Sequence, residues 1–183
     1  MIPKRIVHLL SGGLDSVTML HRHIADGHHV HCVLVNYGQQ HAKELEFAKR
    51  HCAATGVLFT ELFIPKLGGL EANDWKVPGR NTVLISLACS VAVRASAESV
   101  TIGCNKDDAE MFPDCRPAFI SSMSSACVSG YGVEVCAPFI GLRKWEIADI
   151  AKQMGVRDVW WCYRGKDAPC GDCPACAKMG VNV

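Results

Sequence analysis

Short apolar runs alternate with amphipathic stretches along nearly the whole chain. Residues 6–10, 30–37, 57–64, 99–104 and 133–139 read as strands. Apolar residues fill consecutive positions in them, as in strands buried on both faces. Helical stretches fall at about residues 15–25, 40–55, 81–97, 117–128 and 143–154. Leu45, Ala48 and Cys52 share one face of the second. The third is nearly all apolar (Val83, Leu84, Leu87, Ala88, Val91), which predicts cover on several sides. Trp145, Ile147, Ile150 and Ala151 lie near one face of the last. Strands alternating with helices predict an α/β fold, a doubly wound parallel sheet of about five strands. In that class ligands sit at the carboxyl ends of the strands.

Length and charge narrow the picture. The 183 residues suit one core, and 49% apolar against 20% charged residues is ordinary for a globular chain. A formal net charge of +1 without a basic block excludes a general nucleic-acid binder and predicts no direct nucleic-acid contact. No segment is apolar for the roughly 18 residues that a membrane helix needs. The start, Met1-Ile2-Pro3-Lys4-Arg5, runs straight into a short strand rather than a signal sequence, so the chain reads as cytoplasmic with no membrane partner. Composition shifts only at the Cys-rich end, which divides the chain into a main domain over residues 1–160 and an appendage over residues 161–183.

Leu10-Ser11-Gly12-Gly13-Leu14-Asp15-Ser16 joins the first strand to the first helix. Two glycines let backbone approach an anion closely. The helix start adds unpaired N–H groups and the positive end of its dipole. Ser11 and Ser16 bring hydroxyl donors, and Asp15 brings a carboxylate suited to Mg²⁺ on a nucleotide's phosphates. The plain alternative is a tight turn. The loop lacks the Lys of G-x-x-x-x-G-K-[ST] and the spacing of G-x-G-x-x-G. It resembles the Ser-Gly-Gly-x-Asp-Ser loop of the ATP pyrophosphatases, which implies ATP as cofactor with Mg²⁺ and an adenylated substrate.

The other conspicuous chemistry is cysteine. Of eleven, Cys32, Cys52, Cys89, Cys104, Cys115, Cys127 and Cys136 stand singly in apolar stretches and read as small buried hydrophobes. Cys162, Cys170, Cys173 and Cys176 are spaced to close a tetrahedral thiolate shell around Zn²⁺. With no fifth ligand evident, such a site is structural. An iron–sulfur cluster and disulfides are the alternatives. The eight histidines show no metal-binding spacing and read as surface or satisfied core residues.

Four further segments accompany the loop: Tyr37-Gly38-Gln39-Gln40-His41, Val77-Pro78-Gly79-Arg80-Asn81, Phe112-Pro113-Asp114-Cys115-Arg116, and Cys162-Tyr163-Arg164-Gly165 leading into the remaining cysteines. Together, and in this order, they resemble the motif set of the 7-cyano-7-deazaguanine synthases over nearly the whole chain. The resemblance implies an adenine nucleotide α-hydrolase-like fold. It also implies a substrate, 7-carboxy-7-deazaguanine, which is adenylated, converted to an amide by ammonia, then activated again and dehydrated to a nitrile. Arg80 and Lys144 would neutralise phosphates or the carboxylate, with Asp15, Arg80 and Lys144 as the catalytic set. Tyr37, Arg80, Asn81 and Asp114 would bind substrate, Asp114 by accepting two hydrogen bonds from a guanine-like edge. Asn81 and Asp114 also suit helix N-caps. Trp160 and Trp161 read as core, and Asp107, Asp108 and Glu110 as a solvated loop. Similar enzymes pair as homodimers, so that state stays open.

Two departures stand out. Residues 66–76 are shorter than the resemblance implies, and the sequence stops seven residues after Cys176. A reduced lid leaves open an enzyme that stops at the amide. A sulfur-transferring pyrophosphatase acting on tRNA and a non-catalytic nucleotide sensor are the rivals; near-neutral charge and the retained loop with its charged residues weigh against them.

Overall fold

The computed structural model describes residues 2–71 and 76–179. Five strands form one parallel sheet: β1 (Arg5–Leu9), β2 (His29–Asn36), β3 (Phe59–Phe63), β4 (Ser99–Thr101) and β5 (Glu134–Cys136). The order is β3-β2-β1-β4-β5. The chain builds outward from β1 to β3, crosses back, and continues from β4 to β5. The order therefore reverses between β1 and β4, which places a switch-point crevice above their carboxyl ends. Val7 and His8 pair with both neighbours, Val7 with His31 and Val100.

Alternate residues of each strand enter opposite layers. Val7, Leu9, Val33, Val35 and Val100 pack against α3 (Arg80–Arg94) and α5 (Pro117–Tyr131). Cys32 and Leu34 face α1 (Leu14–Ala25) and α2 (Glu44–Thr55). A third cluster joins α1 to α6 (Lys144–Gln153) through Met19, Ile147 and Ala151. Val7, Val33 and Val100 are fully buried, each worth about 1.5–3 kcal/mol relative to exposure. α4 (Lys106–Met111) and α7 (Pro174–Met179) are short. Among the described residues, no helix is long and apolar enough to cross a membrane.

Two expectations need correction, at Trp145 and at residues 106–111. α3 is covered on several sides: Asn81, Ile85, Ala88, Cys89 and Ala92 are buried, Val83, Leu84, Leu87 and Val91 are half-buried against the core, and a narrow stripe through Val93 is exposed. The serines at 86 and 90 return their hydroxyls to their own helix and keep the other side open to solvent. Trp145 is 52% exposed, because the buried face of α6 runs through Ile147 and Ala151, and a residue two positions earlier points away from it. Residues 106–111 are a helix rather than a loop. The Asn105 side chain accepts from the Asp108 N–H, and acidic residues fill the first turn.

Candidate active site

The Ser11–Ser16 loop follows directly on the carboxyl end of β1. Gly12 has φ +95°, and a Cβ there would run into the Glu44 carbonyl, so the first turn of α2 is seated on the loop itself. The Gly12 carbonyl accepts from the Trp160 N–H at 3.0 Å. The Ser16 hydroxyl accepts from the Ser11 N–H at 3.2 Å, and the Ser11 hydroxyl accepts from the Gly13 N–H at 3.2 Å. These are the donors that a phosphate oxygen would take. Gly103 closes the crevice from β4; a Cβ on it would lie 3.2 Å from the Ser16 nitrogen.

Beneath the loop, His8 is fully buried and bridges the switch point. Its Nε2 lies 2.8 Å from the Ser16 carbonyl, which can only accept, so Nε2 carries the proton. Nδ1 then accepts from the Thr101 hydroxyl at 2.9 Å, and that hydroxyl in turn accepts from His23 Nε2 at 3.2 Å. Burial lowers the His8 pKa to about 4, so the chain His8–Thr101–His23 is neutral. It ties β1, β4 and α1 together under the loop.

Asp15 and Lys144, distant in sequence, form one unit. Lys144 Nζ lies 2.8 Å from each Asp15 carboxylate oxygen. The buried Asn105 donates to Asp15 Oδ2 at 2.8 Å and to Asp108 Oδ2 at 2.7 Å. Asp107 accepts from the Lys144 backbone N–H and from Arg143 Nη1, each at 2.7 Å. Asn105, Asp107 and Asp108 thus hold the lysine over the loop. The pattern Asn-Lys-Asp-Asp carried a readable N-cap signal for them.

The proposed substrate residues meet on the opposite wall. Arg80 Nη1 donates to the Tyr37 hydroxyl at 3.3 Å, and its guanidinium lies 5.9 Å from the Tyr37 ring centre. Arg80 Nε reaches Asn81 Oδ1 at 3.4 Å. Asn81 is neither an N-cap, since Gly79 precedes the helix, nor an open amide. Its Nδ2 donates to the Asp114 carbonyl at 3.1 Å and to Cys115 Sγ at 3.5 Å, fixing the turn Pro113–Cys115 to α3. Asp114 caps nothing either: Arg116 occupies the N-cap of α5, and the Asp114 side chain lines the cleft.

Glu44 also lines this wall, and sequence reading missed it because an acidic residue early in a helix looks like a solvated one. Its side chain is 13% exposed, with Oε1 3.5 Å from both His41 Nε2 and Gln39 Nε2. Burial pushes its carboxyl up to about 8, against the pull of the nearby Arg80 charge and the Gln39 bond. The cleft between the two walls holds about 570 Å³. That is ordinary for a small-molecule site.

The four C-terminal cysteines converge. Their sulfurs lie within 4.8 Å of one another, the one such group among the described residues. A shell with bonds of about 2.3 Å needs sulfurs about 3.8 Å apart, and Cys170 and Cys176 stand at 3.9 Å. Four thiolates on separate irons of a cluster would spread further. The Cys162 sulfur accepts from the Cys170 N–H and the Cys173 sulfur from the Cys176 N–H. Burial opposes ionisation of Cys173, yet N–H groups of Tyr163 and Cys176 bring its thiol down to about 7. The donor set fits a single metal ion. The other seven cysteines are buried or half-buried, as expected.

The four-cysteine loop also builds the cleft. Trp160 is buried, its Nε1 donating to the Cys162 carbonyl at 2.8 Å while its backbone N–H holds Gly12. Gly165, at φ +56°, fits where a Cβ would strike the Gln40 carbonyl. Lys43 donates to the carbonyls of Lys166 and Asp167.

Comparison with known proteins accounts for this arrangement. A family profile described as "Queuosine biosynthesis protein QueC" matches residues 5–76 and 68–180. The 7-cyano-7-deazaguanine synthase of Pseudoalteromonas atlantica is 34% identical over 200 residues, covering 96% of this chain and 91% of that protein. That of Hahella chejuensis is 36% identical over 203 residues, covering 97% and 87%. The chain belongs to the 7-cyano-7-deazaguanine synthase family.

Solved structures agree on the fold. U34-tRNA thiolase NcsA from Methanococcus maripaludis, solved with its [4Fe-4S] cluster, gives a TM-score of 0.63 at 15% identity, over 98% of this chain and 63% of that one. NH3-dependent NAD synthetase from Campylobacter jejuni gives 0.57 at 20% identity, over 86% and 66%. This chain thus spans less than two thirds of either protein, and at such identities the likeness shows the ATP pyrophosphatase-like fold alone. The two stretches matched by the synthase profile meet at residues 68–76, within the segment that sequence reading found short; residues 72–75 of it lie outside the described residues.

Proposed function

We propose that this chain uses ATP to convert 7-carboxy-7-deazaguanine and ammonia into 7-cyano-7-deazaguanine through an adenylated acid and an amide. The observation that carries the reading is that all five motifs of the synthase family line one cleft at the switch point of the sheet. In this reading residues 10–16 cradle the ATP phosphates. Lys144, held in place by Asp15, offsets charge on the α-phosphate as pyrophosphate leaves. Both Asp15 oxygens are engaged by that lysine, so Asp15 would hold Mg²⁺ by yielding one of them. Arg80 faces the substrate carboxylate beside Tyr37, and the Asp114 carboxylate takes the N–H edge of the deazaguanine. Asn81, its amide already spent, positions Asp114 rather than touching substrate.

The four-cysteine group fits zinc, which would supply no chemistry beyond cross-linking the loop. Residues 161–179 are then a metal-held appendage that completes the cleft through Trp161, Cys162 and Tyr163. A reaction stopping at the amide is the second reading, favoured by the short segment at residues 66–76. Nucleotide stoichiometry separates the two. With acid, ammonium and Mg·ATP, two AMP per acid consumed supports the nitrile synthase, and one AMP supports the amide variant.

A further inference from the structure

The proposed chemistry leaves one requirement that ATP does not meet. ATP turns the carboxylate oxygen into a leaving group, but ammonia that attacks the acyl adenylate must lose a proton. The nitrogen forms its bond to the acyl carbon, the C–O bond to AMP breaks, AMP departs with that electron pair, and one N–H proton must go to a base. A neutral amide and AMP result.

The other acidic side chains of the cleft are committed elsewhere, Asp114 to the N–H edge of the deazaguanine in the proposed reading. Both oxygens of Asp15 are held by Lys144. Asp107 binds Arg143 and the Lys144 N–H, and Asp108 binds Asn105. His41, whose pKa burial lowers to about 4, is a weak base. Glu44 differs. Its two polar contacts, to Gln39 and His41, are both long at 3.5 Å. Its backbone carbonyl lies against Gly12. The backbone of Glu44 thus abuts the phosphate loop, and its carboxyl lines the cleft within charge range of the Tyr37–Arg80 pair, on the wall where the proposed reading puts the substrate carboxylate.

We infer that Glu44 accepts the proton that ammonia loses as it attacks the acyl adenylate. The inference rests on the proposed function. A carboxylate poised near neutrality is a far better acceptor than an ordinary one, and burial supplies that poise. The groups around it are Gln39 and His41 just before α2, Tyr37 after β2, Arg80 on α3 and Tyr163 on the metal loop. The positive Arg80 keeps the carboxyl ionisable, and the others are neutral near pH 7.

Glu44→Gln in the full chain tests this against a partial reaction that needs no base. Acid-dependent ATP–pyrophosphate exchange reports adenylation, and mass spectrometry reports amide plus nitrile. The expected result is a ratio of amidation to exchange at least about a hundredfold below that of the unsubstituted protein. Hydroxylamine, an α-effect nucleophile whose attacking nitrogen becomes acidic enough to release its proton to water, should then trap the adenylate as hydroxamate at close to the unsubstituted protein's rate. An unchanged ratio overturns the inference. So does a parallel fall in exchange, hydroxamate and amide, which would make Glu44 a binding or structural residue. Absence of acid-dependent exchange in the unsubstituted protein would instead defeat the functional reading, and the inference with it.

Discussion

Lys144 opens α6 and Asp15 lies in the first turn of α1, and the ammonium group of one sits 2.8 Å from both oxygens of the other. A lysine at the positive end of a helix dipole is unfavourable by itself. Here the carboxylate offsets it, and the cation is held beside the Ser11–Ser16 loop. In the proposed function this pairing joins a Mg²⁺-binding aspartate to a phosphate-neutralising lysine.

Asp15→Ala releases Lys144 from its place and removes an acceptor from Asn105. Acid-dependent pyrophosphate exchange should fall by about 10²–10³-fold, the usual cost of losing a preorganised charge. Metal content and the circular dichroism spectrum should stay unchanged, because the cysteine group lies on another wall. Exchange at the original rate would remove Asp15 from the mechanism.

Cys173→Ser attacks the other end of the cleft. Metal binding by such a group is coupled to folding, so metal content and thermal stability should fall together, by about 10 °C or more in Tm. Because Trp160 links the Cys162 carbonyl to the Gly12 carbonyl, ATP affinity should weaken as well, at a temperature where the variant is still folded. Calorimetric ATP titration and metal analysis check both parts. A variant that loses metal while keeping its Tm and ATP affinity would contradict the coupling.

Much of this was legible in the sequence, for definable reasons. Cys32 to Val35 announced a buried parallel strand by unbroken apolarity, and the Gly-Gly turn after Ser11 and the spacing of Cys170, Cys173 and Cys176 demand particular backbone or ligand geometry. Other features depend on burial, which a single sequence does not display. Glu44 and His8 carry no local mark of the enclosure that shifts their pKa values. Trp160 acts through its backbone N–H, which is invisible to side-chain reasoning. Trp145 was assigned to the wrong side of its helix because hydrophobicity outweighed angular position.

His8 predicts an acid-sensitive fold. Its pKa falls from 6.5 unfolded to about 4 folded, so below pH 6.5 the unfolded state binds the extra proton. Its contribution is full above 6.5 and is lost as pH falls toward 4. The buried Glu44 works with the opposite sign, because its carboxyl, raised to about 8, costs stability as pH rises from 4.5. Urea unfolding at pH 7, 6 and 5 separates them. His8→Gln should be less stable at pH 7, with a shallower loss toward pH 5. Glu44→Gln should steepen the loss, since it removes the opposing term. A pH slope unaffected by His8→Gln would show that this histidine is not held neutral.

The identity of the product tests the account most directly. The purified, metal-loaded protein is incubated with 7-carboxy-7-deazaguanine, ammonium and Mg·ATP, and the deazaguanine products are resolved by mass spectrometry. The account predicts 7-cyano-7-deazaguanine, formed through a transient amide and accompanied by AMP and pyrophosphate. Accumulation of the amide without nitrile would confine the enzyme to the first half of the reaction. Unchanged acid with no AMP would contradict the account.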